Sequence, residues 1–138
     1  MASFIYNSFW EDLGKGAIDL DTDTIKVLLT TSSYAEDKDA HDRRDDVTNE
    51  VTGSGYTADG ETVTVTVTKN TATDTTTYTF GVVTWPTSTI TARKAVYYKS
   101  RGGASSADEL IAINDFGTDV SSTGGTFTLN SSIITINN

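Results

Sequence analysis

The sequence predicts an all-β chain: an antiparallel, jelly-roll-like β-sandwich of seven or eight short strands with a short N-terminal helix. Three observations point there. Threonine supplies 26 of the 138 residues, and a β-branched side chain with a hydroxyl suits a strand whose outer face meets water. There is one proline in the chain, and the helix formers Leu, Met, Glu and Lys are thin. Apolar residues recur at period two between turn-forming clusters. One core is expected at this length. The sequence divides into an N-terminal aromatic arm with its short helix, residues 1–16, and a single β-sandwich domain, residues 17–138.

The elements follow in order. Phe4, Tyr6, Phe9 and Trp10 form an aromatic cluster, and Ser8 and Glu11 have capping-box spacing before Phe9, Trp10 and Leu13. This predicts a helix over residues 8–15 ended by Gly14 or Gly16. The helix either plugs one end of the core or docks on a partner. Residues 25–31 read as a strand with Ile25, Val27 and Leu29 inward. Residues 35–50 form the one strongly charged stretch, lack apolar periodicity and read as a long loop with a helical turn; such loops are usually functional or disordered.

Residues 61–69 alternate almost perfectly, which predicts Val63, Val65 and Val67 on the buried face and the threonines between them outside. Residues 75–83 resume with Tyr78 and Phe80 inward, and Trp85-Pro86 closes that run. Residues 90–99 form a further strand. Residues 108–116 are apolar on both faces around Leu110 to Ile113, the signature of a covered, central strand. A turn-rich stretch over residues 117–125 precedes an alternation at Phe127 and Leu129 and a last short strand, residues 133–136.

Composition excludes several classes. With 10 Lys plus Arg against 19 Asp plus Glu, the net charge of −9 argues against a nucleic-acid partner, which needs a basic face, and against an anionic membrane surface. No cysteine and one histidine leave no disulfide, no thiolate and no two-His zinc site within one chain. No apolar run approaches a membrane span, and the first 20 residues lack a signal-peptide core, so no Sec-dependent route is expected.

Motifs that carry chemistry fail on their spacing. Asp19, Asp21 and Asp23 open like a calcium loop, but Thr24 and Thr30 stand where it needs Gly and Glu. His41 lies among aspartates in a polar loop, with no nucleophile elbow in the chain. Trp10, Trp85, Tyr97 and Tyr98 offer material for a sugar-stacking platform, against the plainer reading of core aromatics. Arg43-Arg44-Asp45-Asp46 is either a solvated loop of local ion pairs or a contact loop, since arginine grips carboxylates bidentately. No catalytic residue, metal ligand or cofactor site is expected. The candidate assembly interface is Phe4, Ile5, Tyr6, Phe9, Trp10, Arg43 and Arg44. A chain lacking residues 1–10 is expected to keep its sheet and lose its partner.

Four blocks, DLDTDTIKVLLTTSSY, DVTNEVTGSGYTADG, ITARKAVYYK and LIAINDFGTDVSSTGGTFTL, resemble a family of small virion structural proteins of tailed bacteriophages. The resemblance spans roughly residues 17–130; the ending, residues 130–138, departs from the family's aromatic and Ala/Gly-rich one. What it implies is a non-enzymatic capsid cement (decoration) protein on the capsid exterior. It would be a homo-oligomer, expected as a trimer at capsomer junctions, with the major capsid protein as partner. The alternative is a tail or fibre component that binds host glycans. An enzyme such as a glycan hydrolase is the weakest of the three, because most acids lie in loops rather than around a cleft.

Overall fold

A computed structural model describes residues 3–138. The order is β1 (Phe4–Ile5), α1 (Asn7–Gly14), β2 (Ile25–Thr30), a 3-10 turn at Arg44–Asp46, β3 (Glu61–Thr62), β4 (Val65–Asn70), β5 (Thr75–Phe80), β6 (Val83–Lys99), a second 3-10 turn at Ser105–Ala107, β7 (Leu110–Leu129) and β8 (Ser132–Asn137). The strands build two antiparallel sheets, a five-stranded one in the order β1-β7-β6-β2-β3 and a three-stranded one in the order β4-β5-β8.

This corrects the expected fold class. The chain is a mixed α/β fold, one helix with two open antiparallel sheets, and not an all-β, closed jelly-roll-like sandwich. The physical reason lies in β6 and β7, which run 17 and 20 residues and pair from Val83↔Leu129 to Tyr98↔Leu110. Residues that read as strand breakers are absorbed into this ribbon at register shifts. Pro86 falls between Trp85 and Ser88, where the ladder is interrupted and no proline N–H is missed. Gly117 bends the chain at positive φ in the stretch that is looped out between Asp115 and Val120, opposite Ala92 and Lys94. The two long strands form one ribbon inside the larger sheet, and β1 and β3 there, like β4 and β8 in the smaller sheet, are left as edges, so neither sheet closes.

The five-stranded sheet is covered on both faces. One face buries Ile25, Val27, Leu29, Ala95, Tyr97 and Ile111 with Phe9 from α1, Trp85 and Phe127 from the ribbon, and Phe80 and Ile134 from the second sheet. The other buries Leu28, Val96, Tyr98 and Leu110 beneath Tyr6 and Tyr34. The charged stretch is therefore a cover, with Tyr34 and Val47 packed inward. Its return to β3 depends on glycine, most tightly at Gly60, which has φ +78 and where a Cβ would sit 1.9 Å from the Val27 carbonyl oxygen.

Helix α1 begins at Asn7 after Tyr6, without a side-chain cap. The Ser8–Glu11 box does not form. Ser8 Oγ is buried without a hydrogen-bond partner among the described residues, and Glu11 pairs with Lys15 one turn on. The helix ends with Gly16 at φ +75, its N–H returning to the Leu13 carbonyl.

The alternation of residues 61–69 survives in part. Val63 is buried, Val65 half-buried and Val67 41% exposed, because β4 leaves the core as it runs toward the β4–β5 turn. Val63→Thr is expected to cost about 1–2 kcal/mol by burying a hydroxyl, and Val67→Thr to stay within about 0.5 kcal/mol of wild type. Urea midpoints for the two variants check this; equal losses would mean that the hairpin packs along its full length.

Candidate functional site

The aromatic arm divides between inside and outside. Tyr6 and Phe9 are fully buried in the chain's own cores. The Tyr6 N–H donates to the Ile111 carbonyl at 3.0 Å, and the Tyr6 and Tyr34 hydroxyls share a hydrogen bond of 2.9 Å. Burial pushes the Tyr34 phenol up to about 12 and the Tyr6 phenol higher still. Phe4 and Ile5 are half-buried in β1, and Trp10 is exposed.

The two arginines are engaged within the chain. Arg44 Nε donates to Asp108 at 2.7 Å, its Nη1 reaches Asp59, and its guanidinium lies over the Tyr98 ring. Arg43 donates to the Asp42 carbonyl at 2.9 Å and faces Asp12 at 3.4 Å. Both thus fasten the charged cover to elements beneath it. Asp46 closes the 3-10 turn by accepting from the N–H groups of Asp42 and Arg43. Burial opposes its ionisation, yet these donors outweigh burial and hold the carboxyl below the usual carboxylate range.

The remaining candidates also resolve into structure. His41 is half-buried, its Nδ1 bonded to the Tyr34 hydroxyl at 2.9 Å. Asp23 accepts from the Asp19 N–H and pairs with Lys99, and Asp19 accepts from the Asp21 N–H. No cluster of three or more His, Cys, Asp or Glu is placed for a metal ion among the described residues. Trp85, Tyr97 and Tyr98 are buried, so with Trp10 they make no shared stacking platform.

What sequence reasoning missed is a groove of about 700 Å³ between two sheet edges. One wall is β1 with Trp10 of α1; the other is the β8 segment from Ser132 to Thr135. Tyr97 and Phe80 contribute to its floor, where the Tyr97 hydroxyl donates to Ser132 Oγ at 3.3 Å, and burial raises the Tyr97 phenol. Lys38 is the one charged residue lining it.

Both walls turn backbone groups away from their own sheets. Tyr6 N–H bonds toward β7, so the antiparallel alternation turns the N–H and C=O of Ile5 away from β7. At the other wall the Asn138 N–H donates to the Asp74 carbonyl at 3.1 Å. With the register Thr76↔Ile136, Tyr78↔Ile134 and Phe80↔Ser132, the alternation directs the N–H and C=O of Ile133 and Thr135 outward. The groove thus offers amide and carbonyl edges, apolar side chains and one ammonium group, the chemistry that receives an extended backbone. The one sequence signal for it is the Ile133-Ile134 doublet, since adjacent strand residues point to opposite faces and one isoleucine must face out.

Comparison with protein-family models, with curated proteins and with solved structures gives no match.

Proposed function

We propose that this chain is a non-enzymatic particle component: a capsid cement protein that seats on the exterior of a tailed-phage head as a homo-oligomer, expected as a trimer, at junctions of the major capsid protein. The observation that carries this reading is the groove between β1 and β8, an open, nearly uncharged channel in a chain of net charge −9. Such a channel suits docking onto a protein surface. Trp10 at its rim is an aromatic anchor of the type that dominates interface energy. Many copies on a shell turn modest single-site affinity into durable attachment, and the acidic remainder of the surface keeps free copies soluble.

The four sequence blocks behind the phage resemblance supply the scaffold. They correspond to β2, the cover ending at Gly60, the second half of β6, and β7. Strand β8 lies outside them, in the stretch where the chain departs from the resemblance. This division supports a shared framework carrying its own docking edge.

The test is uptake by purified phage heads that lack the chain. The expected result is saturable binding at a fixed stoichiometry per capsomer, with heads that survive heating better once coated, and a trimer by sedimentation. Binding to tails and not to heads, or saturable binding to a host glycan, overturns the cement reading.

A further inference from the structure

Strand edges left open in a sheet are templates for pairing, and proteins ordinarily blunt them with charge, proline or a bulge. The outer edge strand β4 carries Lys69, and the short β3 carries Glu61. β8, Ser132–Asn137, has three isoleucines, no charge, no proline and an unbroken register with β5. Its outward N–H and C=O groups at Ile133 and Thr135 open into the groove, where Ile133 is 61% and Trp10 43% exposed. At the same groove Lys38 has no ion-pair partner among the described residues, although acids outnumber bases 19 to 10 in the chain.

The geometry points to strand addition at this groove: an extended segment of a second protein pairs with the free edge of β8, seats apolar side chains against Trp10 and Ile133, and presents a carboxylate to Lys38. The inference deepens the reading of the chain as an assembly component and rests on it. Main-chain bonds supply the attachment, and the alternate side chains and the carboxylate supply the choice of partner. A second copy of this chain is the poorer occupant. Its six-residue free edges, β4 and β8, carry no acidic side chain to bring to Lys38, and its other edges, β1 and β3, are two residues long.

Amide hydrogen exchange on the full chain tests this with short synthetic Val/Thr-alternating peptides. One bears a central Asp, one a central Lys, and one the Asp with an adjacent Pro. The Asp peptide is expected to slow exchange at Ile133 and Thr135 and to shift Trp10 emission to the blue. The Lys peptide should bind about tenfold more weakly, and Lys38→Glu should reverse that preference. Ile133→Pro removes an outward N–H and no bond to β5, so it should lose binding well beyond Ile133→Ala while melting at a similar temperature. The inference is overturned if no peptide protects these amides, if the Pro peptide binds as well, or if the free chain protects them with rising concentration. Heads that bind wild type and Lys38→Glu equally, with no peptide protection, sink strand addition and leave the cement reading standing. Peptide protection with no head uptake does the reverse.

Discussion

Lys94→Met is expected to destabilise the chain by about 3–5 kcal/mol, a large share of the roughly 5–15 kcal/mol that a domain ordinarily has. Lys94 lies on β6, and its ammonium group is buried against the Glu36 carboxylate; the two side chains are 8% and 2% exposed. The same nitrogen donates to the Tyr34 carbonyl at 2.6 Å and lies 5.8 Å from the Tyr34 ring centre. Glu36 Oε1 has no hydrogen-bond partner among the described residues, so Lys94 is the main compensation for a charge held out of water. Removing the lysine alone strands that charge.

Removing both charges is a different experiment. Lys94→Met with Glu36→Leu should recover most of the loss, because an apolar pair of similar volume replaces a costly ionic one. Urea unfolding of wild type, both single variants and the double variant gives the coupling directly. If the double variant falls as far as Lys94→Met, the pair is not what fastens the cover to the sheet. The exposed Glu11–Lys15 pair on α1 makes the contrast: it is solvated on both sides, and Lys15→Met should leave the midpoint almost unmoved.

These residues also mark how far the sequence could be read. Alternation located β2 and its inward Ile25, Val27 and Leu29, and the two-faced run at Leu110 to Ile113 placed β7 in the sheet interior, between β1 and β6. Period-two patterns are local, and burial on one or both faces writes them directly into the residues. The extent of β6 and β7 was not legible. Pro86 and the glycines at 117, 124 and 125 have the composition of turns, and it is the neighbouring strand that carries the ladder past them through register shifts. The ion pair of Glu36 with Lys94 joins residues 58 positions apart, and no spacing rule connects a charged loop to a strand that far along. The groove is harder still. It is assembled from residues near 5, 38, 97, 113 and 133, each unremarkable in its own segment. Arg43 and Arg44 had the right chemistry for gripping carboxylates; the carboxylates turned out to be the chain's own Asp12, Asp59 and Asp108.

Phe9→Ala is expected to cost about 3–5 kcal/mol, while Trp10→Ala next to it costs at most about 1 kcal/mol. The sequence treats the two as one aromatic cluster, and the helix separates them. Phe9 is fully buried among the core residues that include Ile18 and Ile111, whereas Trp10 is 43% exposed and touches the core through the Phe9 ring, their centres 5.1 Å apart. Truncating Phe9 opens a cavity that β7 and α1 cannot close without moving off the sheet. Truncating Trp10 uncovers part of one ring and empties the rim of the groove. Deleting residues 1–10 goes further: it removes β1, the Tyr6 N–H bond to Ile111 and the Tyr6 hydroxyl that meets Tyr34. That chain should lose its cooperative unfolding transition as well as its partner. Urea unfolding of the three variants, followed by head uptake of those that fold, separates the roles: Trp10→Ala should fold and bind poorly. A Phe9→Ala chain as stable as wild type would show that the helix is held by something other than its buried face.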